Sequence, residues 1–139
     1  MQARTQLPRR LEGDRGSITI YLIGMILAAL LVAGLAVDGS RAAQGAARAQ
    51  SIAAEAARAG GQAIDPAAAL QGQDVVDPAA AVAAAQSYLA AAGVSGQVQV
   101  SGNQLVVDVT VSTGTSFLAL IGIESFTLEG HGVADLVRS

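Results

Sequence analysis

The side chains able to do chemistry are few and scattered. The chain carries one histidine, His131, and no cysteine. A zinc site or a catalytic base needs partners of suitable type and spacing, and neither a thiolate nor a second imidazole is present to complete one. His131 stands between two glycines in an alternating segment, opposite in parity to Phe126 and Leu128, and reads as a surface histidine. Asp74, Asp77 and Asp108 lack the spacing of a calcium loop. Asp74 and Asp77 fit better as turn and cap residues. No serine lies in a nucleophile elbow, and no glycine-rich loop leads from a strand into a helix to cradle phosphate. No catalytic, cofactor-binding or metal residues are therefore assigned, and neither enzyme activity nor a small-molecule substrate is expected.

What remains is charge placement. Asp38 and Arg41 form a pair three residues apart, within reach of each other on a helix. They are a candidate assembly contact; alternatively, Asp38 only marks the end of the apolar run before it. Every basic residue is an arginine, and four of the eight, Arg4, Arg9, Arg10 and Arg15, precede that run. The net charge is −3 and aromatic content is 3%, so the chain offers neither a basic patch nor a stacking platform for nucleic acid. The lack of cysteine excludes disulfides and lipid attachment through a thiol.

The element that must position these residues is the uncharged run Ser17–Val37, SITIYLIGMILAALLVAGLAV. About 20 apolar residues suffice to cross a bilayer as one α-helix, with all backbone hydrogen bonds satisfied internally. The arginine cluster before the run places the N-terminus in the cytoplasm and the remainder outside. A cleaved secretory signal is the competing reading. Gly34-Leu35-Ala36 fits a small-x-small cleavage site, but the apolar run exceeds the roughly 7–15 residues of a signal core.

Beyond Asp38, the stretch from Arg41 to Gly60 is rich in alanine, glutamine, glutamate and arginine and has no proline, so the span should continue as one long helix. Small residues recur four apart, as in Ala42-Ala46 and Ala49-Ala53, a spacing that permits close helix–helix approach; simple alanine bias would look the same. Gly60-Gly61 ends the helix. Asp65-Pro66 and Asp77-Pro78 are helix starts, aspartate as N-cap and proline at the first helical position. The first opens a short turn ending near Gly72. The second opens a helix closed by Gly93, with Val82, Tyr88 and Leu89 as its expected buried face.

After Gly93 the period shortens to two. Gln97–Val100 and Leu105–Val111 alternate around Gly102-Asn103, which suits a tight hairpin turn. Leu105, Val107, Val109 and Val111 share one face. Ser116–Ile123 is a compact apolar block, either a short helix or a loop packed on the sheet. Ser125–Val137 alternates again, with Phe126, Leu128 and Leu136 on one face and Gly130 and Gly132 marking a weak point or bulge. The expected fold is α+β: a long N-terminal transmembrane helix extended outside the membrane, a second helix and a small three-stranded antiparallel sheet. The expected segments are a basic cytoplasmic leader (1–16), a transmembrane helix (17–37), an alanine-rich helical extension (38–64) and a small extracytoplasmic domain (65–139).

Arg15-Gly16-Ser17-Ile18-Thr19-Ile20 ahead of a long apolar helix resembles the start of TadE and TadG proteins of tight-adherence (Flp-type) pilus systems. Gly34-Leu35-Ala36-Val37-Asp38-Gly39-Ser40-Arg41 is similar to the patch that follows the TadG helix, and Ala42–Gln62 to the helix after it. The late strand pair and Leu120-Ile121-Gly122-Ile123 are similar to the ends of TadE-type proteins. The resemblance implies a pilin-like architecture and makes Gly16, Ser17 and Tyr21 the candidate leader-processing residues. Pilins and TadE pseudopilins carry a glutamate five residues after the cleavage-site glycine, where this chain has Tyr21. That departure favours an unprocessed, TadG-like protein. The function so implied is that of a minor pilin-like or accessory membrane subunit of a pilus or secretion apparatus, with the membrane and other apparatus subunits as partners. A secreted or tethered binding module of the cell envelope is the alternative.

Overall fold

The computed structural model describes residues 14–72 and 76–136. The arginines at 4, 9 and 10, Asp74 and Val137 lie outside that range. The architecture is the expected α+β arrangement. Helix α1 runs unbroken over Asp14–Gly61, 48 residues, or about 70 Å at 1.5 Å per residue. A one-turn helix α2 (Pro66–Ala69) and helix α3 (Pro78–Ala92) follow. Strands β1 (Ser95–Ser101), β2 (Gln104–Gly114) and β3 (Ser125–Asp135) then form one antiparallel sheet in the order β1-β2-β3.

Local chemistry accounts for most of these boundaries. Asp77 caps α3 by accepting from the Ala79 N–H at 2.9 Å, with Pro78 at the first helical position. Asp65 caps α2 in the same way, accepting from Ala67 at 2.8 Å. Gly93 closes α3 at φ +66°, a left-handed conformation that only glycine adopts without penalty. The hairpin pairs Ser101 with Gln104 around Gly102 at φ +59°. Asn103 keeps a negative φ, which is the pattern of a type II′ turn with glycine first.

The core lies between the upper part of α1, α3 and one sheet face. Leu105, Val107 and Val109 are fully buried there, while Asp108 and Thr110 face solvent, as strand alternation requires. Two expectations need correction. The buried face of α3 is Ala81, Ala85 and Leu89, at strict four-residue spacing; Val82 is half-buried and Tyr88 is exposed. Alanine wins those positions because α3 packs close to α1, leaving no room for a ring. Nor do Gly130 and Gly132 form a bulge. The β2–β3 register runs without a slip from Gln104↔Asp135 to Gly114↔Ser125. Both glycines are buried under α1 instead.

Candidate functional site

Along α1 the surroundings change at Gly34. Every residue from 16 to 33 is exposed, including Ile20, Tyr21 and Leu31. The helix is apolar enough here to cross a membrane, with a mean hydropathy of 2.7. The core helix of a soluble protein would be covered, so the bare apolar rod is unlike one. From Gly34 upward one face is covered. Gly34, Asp38, Gly45, Ala49, Ala53, Ala56 and Gly60 are buried, at strides of three, four or seven that keep them on one side of the helix.

The small residues on this stripe let α1 lie directly on the sheet. A Cβ on Gly130 would stand 2.2 Å from the Ala49 carbonyl, and one on Gly132 would stand 2.2 Å from the Ala53 oxygen. Atoms cannot approach that closely, so helix and strand backbones touch only because β3 has no side chain at either position. The Ala49-Ala53 pair, expected to serve helix–helix packing, is consumed by this helix–sheet contact within the chain. Gln50 adds a clamp at the outer edge of β3: its side-chain amide donates to the His131 carbonyl at 2.6 Å and accepts from the His131 N–H at 3.2 Å.

The charged pair sits at the other end of the stripe. Asp38 is fully buried, the one buried charged residue among those described. Its carboxylate accepts three backbone N–H bonds: Ser116 to Oδ1 at 2.9 Å, and Phe117 and Leu118 to Oδ2, each at 2.8 Å. These N–H groups open a 3-10 turn, Leu118–Ile121, in the connection between β2 and β3. The turn is the apolar block 116–123. It lies beyond the end of the sheet and beside α1, not on the sheet face. Arg41 completes the arrangement. Its guanidinium is 4.0 Å from Asp38 Oδ1 and donates to the Ser116 hydroxyl, and its side chain remains 47% exposed. Burial raises the Asp38 pKa. The N–H groups of Leu118, Ser116 and Phe117, and then Arg41, outweigh it and hold the carboxyl below its ordinary value of 3.8. One turn below, Phe117 packs on Gly34, where a Cβ would come within 2.5 Å of the ring.

The remaining candidates are dispersed. Gly16, Ser17 and Tyr21 are exposed in the first turns of α1, about 25–33 Å along the helix from Asp38 at 1.5 Å per residue. His131 pairs across strands with Asp108, Nδ1 to Oδ1 at 2.7 Å, on the solvent face of the sheet. Among the described residues no group of three or more histidine, cysteine or acidic side chains could hold a metal.

Residues 16–63 match the family of putative Flp pilus-assembly TadE/G-like proteins. The matched segment is α1 almost end to end, with two residues beyond it. The TadE/G-like part of this chain is thus the exposed apolar rod, the Asp38–Arg41 pair and the small-residue stripe together. Comparison with curated proteins and with solved structures gives no match.

Sequence reasoning singled out Asp38 and Arg41 but missed what they hold. It also missed Gly34, Phe117 and the role of the paired glycines in β3. A signal was present in the stride of small residues from Gly34 to Gly60 and in the even spacing of Gly130 and Gly132 on the same strand face as Phe126 and Leu128.

Proposed function

We propose that this protein is a single-pass, TadG-like subunit of an Flp-type pilus assembly apparatus that acts through assembly and not catalysis. The observation that carries the reading is the TadE/G-like match over a helix whose lower half is bare and apolar and whose upper half is built into a folded domain. Residues 17–37 cross the membrane, the arginine-rich leader stays in the cytoplasm, and residues 38–139 lie outside. Retention of the span, rather than signal cleavage after Ala36, is supported by the seating of Phe117 on Gly34: cleavage there would strip the domain of a packing partner. Tyr21 in place of glutamate supports an unprocessed leader and a position at the base, or as a minor component, instead of repeated use along the shaft. A buried carboxylate would be costly in lipid and kept for registry between subunits; this span has none.

Two measurements test the proposal. Deletion of the protein should abolish surface pili and adhesion; intact pili would remove the functional reading. Intact mass after co-expression with the cognate prepilin peptidase should show the full chain. A mature start at Ser17 would make it a processed pseudopilin, and a start at Val37 would support the secreted binding module.

A further inference from the structure

We infer that the 3-10 turn between β2 and β3 is a second membrane contact, seated in the lipid interface beside the transmembrane helix. The inference rests on residues 17–37 being a retained span. Phe117 packs on Gly34, which lies inside the apolar run, one helical turn or about 6 Å below Asp38. The surroundings of the helix at that level are therefore those of the turn. Among the described residues nothing covers its tip: Leu120 is 83% exposed and Ile121 71% exposed. In water this pair would be an unfavourable exposed tip, whereas at the acyl boundary each leucine or isoleucine gains by burial. No charge occurs from Thr115 to Ile123.

The backbone is also prepared for low dielectric. Peptide N–H groups that face lipid must be satisfied within the protein. At least seven of the nine N–H groups from Thr115 to Ile123 are: three by Asp38, and those of Thr115, Leu120, Gly122 and Ile123 by carbonyls of the same loop. Asp38 thus supplies acceptors that water would otherwise provide. Arg41 stands just above, at the level where lipid headgroups offer phosphates. With two points of membrane contact, the helix and the turn, the outer domain could not swivel about the helix axis, and one face would always point along the bilayer.

The chain lacks cysteine, so single labels are specific. The experiment places the environment-sensitive fluorophore NBD on Leu120→Cys, Ile121→Cys, Leu27→Cys and Thr110→Cys in the full chain. Each variant is reconstituted in phosphatidylethanolamine–phosphatidylglycerol vesicles containing nitroxide-labelled lipid. Leu27 reports the span and Thr110 the solvent face of the sheet. Blue-shifted emission and at least about threefold more lipid quenching at Leu120 and Ile121 than at Thr110 is expected for interfacial insertion. Quenching at Leu27 with none at Leu120 or Ile121 would overturn the inference and leave the anchor intact. A blue shift at Leu120 that grows with protein concentration and resists lipid quenching would assign the turn to another protein copy, again overturning it. If Leu27 itself is unquenched, the anchor reading and this inference fall together.

Discussion

The two ends of the contact between α1 and the sheet use opposite chemistry. At the distal end, Ala49 and Ala53 press on Gly130 and Gly132, and the contact is made by leaving side chains out. At the end nearer the apolar run, Asp38 reaches from the helix to three N–H groups, and the contact is made by a charge held in a buried position. Each end uses the interaction its surface offers. The sheet face is apolar and already paired within its ladder, so close packing is the available interaction. The β2–β3 turn has loose N–H groups, and a carboxylate is well suited to gather several at once. Packing of the first kind is intolerant of added atoms; bonding of the second kind is sensitive to protonation.

The largest expected effect is at the distal end. Val107→Asp would bury an unpaired carboxylate under α1 and should unfold the α+β domain, a loss of more than about 4 kcal/mol. Thr110→Asp, three residues along and facing solvent, should stay within about 0.5 kcal/mol. Denaturant melts of the two in detergent make the check, and equal tolerance would break the assignment of faces. Next is Gly130→Ala. The added methyl meets backbone that no rotamer change can clear, so a loss of about 1–3 kcal/mol is expected in the same melts. An unchanged midpoint would show that α1 does not lie on β3.

At the proximal end the effects should be local. Asp38→Asn removes the charge and one acceptor's worth of geometry, and should raise amide exchange at Ser116, Phe117 and Leu118 by about tenfold while β2 remains protected. The pH dependence follows from the lowered pKa of Asp38. The unfolded carboxyl takes up its proton at higher pH than the folded one. The contribution of Asp38 is therefore complete above about pH 3.8 and is lost as pH falls through the lower folded-state value. Protection of the three amides, corrected for intrinsic exchange, should collapse in that window in the parent protein and show no such step in Asp38→Asn. Arg41→Ala should be milder than Asp38→Asn, about 0–1 kcal/mol, because its guanidinium is half exposed and screened. A larger loss would mean that Arg41, and not the backbone N–H groups, holds Asp38 in place.

Much of this could be read in the residues. The apolar run was legible because its length and its absence of charge are ones that few other segments meet. The caps at Asp65-Pro66 and Asp77-Pro78, the close at Gly93 and the turn at Gly102 were legible because their stereochemistry is local. The alternation of Leu105, Val107 and Val109 fixed which side of β2 faces inward. The Asp38–Arg41 pair was visible as a pair, since helical spacing brings residues three apart together.

The partners of that pair were not visible. Ser116, Phe117 and Leu118 lie 78–80 residues further along the chain and offer backbone N–H groups, which every residue but proline carries and which therefore leave no trace in residue type. The same holds for Gly130 and Gly132. Their spacing showed a strand without side chains on one face, yet a bulge and a close approach have that signature in common until α1 is laid against the sheet. The apolar run, the helix and strand boundaries and the inward faces could be had from residue order alone, because these follow from local geometry and from the solvent each segment meets. Only the tertiary structure decided that the alanine stripe serves its own sheet, that Tyr88 stays outside while Ala85 is buried, and that Asp38 gathers the turn, because these depend on how closely two distant backbones approach.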